Sequence, residues 1–480
     1  MKKRPSLLQA TAPIFAILLL LGIGYGVFHL KIEPLLIIAV IVAAVLGKVL
    51  GVSWEEMQEG IVEKIAKSML ATLILITVGA LIGTWMFSGT IPMMIFYGIE
   101  LINPNYLFVT AFLVTALIST FTGTSWGSAG TVGVAIMGIA MVQGVSLPIT
   151  AGAVVAGAFF GDKLSPLSDT TNLSPVVAGS NLYEHIRHLL YTTIPASLIG
   201  LVVYFIVGWS TYTSNAFDRE KIEAMTSALT AMFHWNVLLI VPVLIVLVGS
   251  IKKYPTIPIM IISSITAIIL GVVVQSMSLE NAFLATVQGF NVSMVTAGGF
   301  DPAATPEAVQ KLLNRGGMSS MMQTVLIAFC SFAFAGVISK IGCLEVVLEK
   351  LNEKVKSTGS LVLTTVLSCV IMAITTGSSY LAILIPGELF KDAYAQRGLH
   401  PKNLSRTLED SGSIVVSLIP WSMAGVYMSS TLGVPVIEYL PWAIMCYLGF
   451  IIAIIYGYTG FTIEKINSSS NDKTANENIS

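Results

Sequence analysis

Apolar and polar positions along this chain alternate in long blocks and not residue by residue. Apolar runs recur at 11–30, 33–50, 68–88, 189–209, 234–250, 255–275, 319–340 and 438–460. Two longer stretches, 147–178 and 403–433, are apolar but broken by polar residues. About 20 apolar residues in a helix cross the roughly 30 Å hydrocarbon core of a bilayer. The pattern therefore predicts an all-α polytopic membrane protein with ten spans in these ten stretches.

The order of the elements repeats. Segments 11–30 and 33–50 are joined at Lys31–Pro34 and followed by an amphipathic stretch, Ser53–Lys67; segments 234–250 and 255–275 are joined at Lys252–Pro255 and followed by Ser278–Phe290. Each half adds one span, 68–88 or 319–340, and then an interrupted element. Leu107–Phe121 is apolar, Thr122–Gly127 interrupts it, and Ser128–Val142 resumes; Leu361–Ile374 is apolar, Thr375–Ser379 interrupts it, and Tyr380–Phe390 resumes. Arms of about 15 residues give roughly 22 Å of helix, too short to span. Each pair is therefore read as a re-entrant hairpin, 107–143 and 361–394. Exposed backbone at that depth is tolerated only where it lines a cavity or is covered by protein.

Each half closes on a discontinuous helix, 147–178 and 403–433. Hairpins add no net crossing, so each half has five spans, and an odd number sets the two copies in opposite orientations. Inverted repeats with broken helices that meet near the midplane characterise secondary transporters. The expected division is a first repeat at 11–209, an extracytoplasmic linker at 210–233, a second repeat at 234–460 and a disordered cytoplasmic tail at 461–480.

Composition supports the class: 55% of the 480 residues are hydrophobic and 11% charged, against about 25% charged in soluble domains. The net charge of −1 and the lack of a basic tract point away from nucleic acid. The four cysteines show no CxxC spacing and read as small buried hydrophobes. With the N-terminus in the cytoplasm and sides alternating, 19 Lys and Arg residues fall inside and five outside, leaving Lys163 within a span. That is a strong positive-inside bias. It predicts a multi-pass protein of the cell (inner) membrane with both termini cytoplasmic.

Asp162 carries the sharpest chemical signal, deep within the first broken helix. A charge there is costly unless paired, hydrated or protonated. Such a carboxylate holds either a proton or a metal cation, which is the minimum requirement for cation–proton exchange. Asp410 takes the corresponding place in the second half, offset by about six residues. Asp169 follows with Thr170, Thr171 and Asn172, and oxygen ligands suit hard cations such as sodium; the alternative role of Asp169 is a helix cap. At the hairpin tips, Thr122, Thr124, Ser125, Thr376, Ser378 and Ser379 offer hydroxyls. Lys163 either neutralises Asp162 or anchors a carboxylate substrate. Ser165, Asn172 and Glu409 are further groups that support the ligands or meet a substrate. His185 and His188 are read as members of a cytoplasmic surface loop. His234 and His400 form no metal constellation, and no HExxH or Walker motif occurs.

The run Gly161-Asp162-Lys163-Leu164-Ser165-Pro166-Leu167-Ser168-Asp169-Thr170-Thr171-Asn172-Leu173 resembles the NhaC-type sodium/proton antiporters. So do Gly83-Thr84-Trp85 with Ser88–Pro92, Thr122–Gly127, and Leu408-Glu409-Asp410-Ser411-Gly412 with Ile419-Pro420-Trp421. The resemblance covers about residues 35 to 460. It implies the ion-transporter superfamily fold, with a scaffold part and a transport part that carries two hairpins. It also implies elevator motion, a homodimer, and an ion site that involves Asp162, the hairpin hydroxyls and Asp410.

The expected function is exchange of Na+ for H+ by alternating access, without a cofactor. The alternative is an organic-acid exchanger coupled to both ions, as in family members that exchange protonated malate for sodium and lactate. An intramembrane aspartyl protease would show a GxGD pattern, and Phe159-Phe160-Gly161-Asp162 does not. The chain is read as a transporter and not an enzyme.

Overall fold

The computed structural model describes residues 3–212, 219–298, 300–302, 305–353 and 355–466. Among these, ten helices are long and apolar enough to cross a membrane, or up to thirteen if each sharply bent pair is one span. No strand forms; the only β-type pairing among the described residues is an isolated bridge, Leu399 to Lys465. The outward faces suit lipid. Ile37, Ile41, Val45 and Val49 form an exposed stripe at four-residue spacing on the Ile32–Val49 helix, and Ile261, Ile265, Ile269 and Val273 form another on Thr256–Val273.

Most predicted elements lie within a few residues of their expected positions, and the differences have local causes. The amphipathic stretch before residue 68 does not stand apart. Ser53 and Glu56 close a capping box, and the helix then runs unbroken for 35 residues, Trp54–Ser88. Its counterpart Leu279–Gln288 does form a separate helix. An apolar helix at Thr90–Leu101, too short to span, was not expected. The expected linker contains a helix, Arg219–Met232; residues 213–218 lie outside the described part.

The arms of the interrupted pairs are longer than expected, and Pro104–Thr122, Ser125–Val142 and Thr358–Thr376 are each long and apolar enough to cross a membrane, so the expectation that the arms are too short to span does not hold. They run Leu107–Thr122 and Ser125–Val142 in the first half, and Thr358–Thr376 and Ser379–Gln396 in the second. The polar residues read as breaks are helical because their hydroxyls bond back into their own helix. Thr122 Oγ1 donates to the Ile118 carbonyl at 2.9 Å, and Thr376 Oγ1 donates to the Met372 carbonyl. Only Gly123-Thr124 and Gly377-Ser378 remain as turns. Both glycines adopt the left-handed conformation, φ 68° and 63°, that closes a helix C-terminus.

The broken helices are Leu147–Leu164 with Asp169–Ala178, and Pro401–Leu418 with Met423–Leu432, the latter bent by 48°. Each restarts on a serine cap: Ser168 accepts from Thr171 N–H, and Ser422 from Gly425 N–H. Asp162 lies six residues before its cap, and the residue six before Ser422 is Val416. Counted back from the two serine caps, Asp162 and Asp410 do not fall at the same position. Glu409–Ser413 is a π-helical turn, a feature that often marks functional sites.

The first six residues of the expected disordered tail are ordered. Residues 461–466 fold back on the start of Pro401–Leu408: His400 N–H donates to the Glu464 carbonyl at 2.9 Å, Ile466 N–H to Gly398 at 2.8 Å, and Lys402 pairs with Glu464. Residues 467–480 lie outside the described part.

Glycines set how closely the Leu107–Thr122 and Leu147–Leu164 helices approach. A Cβ at Gly157 would stand 2.3 Å from the Phe112 carbonyl oxygen, and one at Gly161 would stand 2.3 Å from that of Ala116. Ser119 Oγ crosses the same seam to the Ala158 carbonyl at 2.5 Å. Such small residues four apart let membrane helices meet backbone to backbone. Gly161→Val is expected to cost about 1–3 kcal/mol or more through overpacking, read as a lower unfolding temperature of the detergent-purified protein.

Candidate ion and proton site

The seam at Gly161 fixes the residue after it. Asp162 is half-buried at the end of its helix, and its Oδ2 accepts from Ser125 Oγ at 2.8 Å. Ser125 opens the Ser125–Val142 helix just beyond the Gly123 turn, so the carboxylate faces a helix N-terminus, where negative charge is favoured. The Ser168 hydroxyl also lies beside it. No ion pair reaches Asp162 among the described residues.

Lys163 does not neutralise Asp162. It is 1% exposed and forms an ion pair with Asp410, which is fully buried. Asp410 Oδ1 also accepts from Thr192 Oγ1 at 3.0 Å. Gly449 closes the pair off from the Ile444–Thr459 side: a Cβ there would stand 3.6 Å from Asp410 Oδ1 and 3.8 Å from Lys163 Nζ, ordinary contact distances. Asp410, expected as a second ion ligand, is thus matched by the chain's own cation. Lys163, expected as a possible substrate anchor, is spent on it.

Glu409 points elsewhere. Its Oε1 accepts from Thr170 Oγ1 at 3.1 Å and its Oε2 from Ser174 Oγ at 2.5 Å, so it engages the restarted half of the first broken helix. It is fully buried and lies within electrostatic range of Asp162. Consecutive residues point about 100° apart around a helix, so neighbours 409 and 410 meet different helices.

The other expected ligands divide. Ser125 meets a carboxylate. Thr124 caps its own helix, accepting from Gly127 N–H at 3.2 Å, while Thr122 and Thr376 bond to their own helices. Ser378 and Ser379 are partly buried, and no hydrogen bond joins their side chains to a carboxylate. Asp169 is exposed at the first position of the restarted helix, with Ser168 as the cap in its place; Tyr380 of the second hairpin lies beside it. Ser165 is buried and accepts from Leu167 N–H; Asn172 is exposed and donates to the Pro166 and Ser168 carbonyls. These two shape the turn between the half-helices and do not reach the carboxylates.

Three contributors were not singled out: Ser168, Ser174 and Thr192. Ser174 follows Thr170 at four-residue spacing, a shared helix face that was legible. Nothing in the sequence marks Thr192. His185 and His188 are not in a surface loop: they are 0% and 2% exposed. His185 Nδ1 meets Ser405 Oγ at 2.9 Å, and His188 Nε2 meets the Thr462 carbonyl at 2.8 Å. Arg406, also fully buried, donates to Thr462 Oγ1 at 2.7 Å.

The second broken helix ties both turns together. Tyr427 hydroxyl donates to the Trp126 carbonyl at 2.6 Å and its ring stacks on Trp126 at 4.6 Å. Met423 N–H donates to Gly377 O at 3.3 Å, and Trp421 Nε1 to Ile374 O at 2.8 Å. Among the described residues no cluster of three or more His, Cys, Asp or Glu side chains could hold a metal. The oxygens gathered here are those of hydroxyls and of single carboxylates.

An apolar multi-span bundle, broken helices and partnerless or hydroxyl-held carboxylates between them define a secondary transporter. The Na+/H+ antiporter family model matches residues 33–171 and 157–461, and the chain belongs to that family. It is 52% identical, over 97% of its length and 98% of the relative's, to a Haemophilus influenzae protein described as an uncharacterized Na(+)/H(+) antiporter. It is 37% identical, over 97% and 100%, to the Na(+)/H(+) antiporter NhaC of Alkalihalophilus pseudofirmus. It is 34% identical, over 93% and 95%, to the malate-2H(+)/Na(+)-lactate antiporter of Bacillus subtilis. The resemblance to NhaC-type antiporters thus extends to nearly the whole chain.

The buried pair makes a separable prediction. Lys163→Met or Asp410→Asn alone strands its partner and is expected to cost about 3–5 kcal/mol. The double variant Lys163→Met with Asp410→Leu should recover most of that loss in thermal unfolding of the purified protein.

Proposed function

We propose that this protein exchanges Na+ for H+ across the cell membrane by alternating access, and that the Asp162 carboxylate is the group for which the two ions compete. The observation that carries this is its setting: a carboxylate at a helix break, bonded to a hydroxyl at the Gly123 turn and lacking a cationic partner among the described residues. Sodium would take Asp162 with the Ser125 and Ser168 hydroxyls, with Glu409 and Thr170 adjoining. A proton on the carboxylate removes the charge that holds the cation, so the site carries one ion or the other. Loaded either way it is neutralised, and only a neutralised carboxylate crosses a low-dielectric barrier cheaply. That is how exchange is enforced without a leak.

The rest of the reading follows the sequence. The termini are cytoplasmic, by the positive-inside bias. The two halves are inverted repeats, the paired helices at 107–142 and 358–396 are hairpins that enter and leave on one side, and the protein is a dimer in which the hairpin-bearing part moves against a scaffold. The like-for-like turns at Gly123 and Gly377 and the serine caps at Ser168 and Ser422 support the repeat. A second reading, Na+- and H+-coupled exchange of organic acids, is favoured by the kinship to the malate–lactate antiporter.

Sodium-driven dequenching of a pH-sensitive dye in everted vesicles tests the proposal. Wild type should respond and Asp162→Asn should not; Glu409→Gln and Ser125→Ala should need a higher Na+ concentration for half-response, by about tenfold or less, consistent with loss of one ligand or its neighbour. Full activity in Asp162→Asn would reject the role of Asp162.

A further inference from the structure

Away from the carboxylates, a cavity of about 660 Å³ opens where the end of the second broken helix faces the segment from 279 to 321. Its size suits a small organic ligand. Its wall carries Arg315, Asn291, Asn314, Gln288, Thr431 and Gly433, and no Asp or Glu. At two of the wall amides the donor end is the free one. Asn291 Oδ1 accepts from Ser293 N–H and Asn314 Oδ1 from Val292 N–H, both at 3.0 Å, which leaves the two side-chain NH2 groups as the free ends. Arg315 Nε donates to the Lys311 carbonyl at 3.3 Å. No carboxylate pairs with the guanidinium among the described residues, and its two terminal nitrogens lie close to Gly433, where a Cβ would stand 3.8 Å from each. Thr431 is 4% exposed, and its side chain lies beside the Tyr427 hydroxyl.

A guanidinium without a carboxylate partner beside two amide donors presents the geometry of a carboxylate receptor, because the arginine fork matches two carboxylate oxygens at once. We infer that this cavity is a binding site for a small mono- or dicarboxylate, held by Arg315 with Asn291 and Asn314. By the proposed orientation it opens on the extracytoplasmic side. It is also placed to matter for transport. Its wall is shared by Met423–Leu432 and by the loops around Arg315, and Met423 at the other end of that helix bonds the Gly377 turn. About 15 Å of helix joins the two. A bound carboxylate bridges the two walls and favours the arrangement in which they face each other.

The inference rests on the cavity and not on sodium–proton exchange, so the two are tested apart. Binding is measured by isothermal titration of lactate, malate and inorganic phosphate into the full-length protein in nanodiscs, at fixed Na+. Dye-reported Na+/H+ exchange without any carboxylate is followed in parallel as the check on folding. Lactate or malate should bind wild type in preference to phosphate, and Arg315→Gln should weaken that binding at least tenfold while exchange persists. Arg315→Lys, which keeps the charge but loses the fork, should fall between, and serves as the reading if Arg315→Gln does not reach the membrane. Absence of binding by both carboxylates, unchanged affinity in the Arg315 variants, or phosphate bound as well as carboxylate would overturn the site. A protein inactive in exchange that still binds carboxylate through Arg315 would leave it standing.

Discussion

A charge placed in hydrocarbon has to be matched, and the Lys163–Asp410 pair is where this chain matches its own. The pair joins the end of the first broken helix to the π-helical turn of the second, with Thr192 bonded to it and Gly449 closing one side. With Asp410 matched internally, Asp162 and Glu409 are each held by hydroxyls and not by a cation. Two adjacent acidic residues thus take different partners, Asp410 the Lys163 ammonium and Glu409 the Thr170 and Ser174 hydroxyls, because consecutive helix positions point about 100° apart.

The remaining architecture serves to deliver these groups to one place. Glycines at 157 and 161 bring two backbones together, which sets Asp162 against the Gly123 turn. Left-handed glycines end both first arms, and serine caps restart both broken helices. The Met423–Leu432 helix then binds both turns through Tyr427 and the Met423 N–H. Motion of that helix would be felt at each turn and, at its far end, in the cavity around Arg315.

Much of this was legible in the sequence because hydropathy reports burial in lipid directly. The spans, the two glycine-containing interruptions and the presence of Asp162, Glu409 and Asp410 inside broken helices all show in residue type and spacing. What stayed hidden depends on contacts between distant segments. Nothing local says that Lys163 reaches Asp410 and not its neighbour Asp162, or that Thr192 joins them. The hydroxyl-rich runs looked like breaks because composition does not reveal that Thr122 and Thr376 satisfy themselves within a helix. His185 and His188 looked like members of a surface loop, yet His185 meets Ser405 and His188 meets Thr462 of the segment folded back at 461–466. The offset between Asp162 and Asp410 was visible as six residues, and the capped restarts at Ser168 and Ser422 show that it is real.

The central claim is that Asp162 trades a proton for sodium while Asp410 does not. Titrating Na+ into the purified protein in two buffers of different ionisation enthalpy counts the protons displaced on binding. The account predicts displacement in wild type and in the Lys163→Met, Asp410→Leu double variant, and none in Asp162→Asn. Undiminished proton displacement in Asp162→Asn, or its loss only in the double variant, would contradict it.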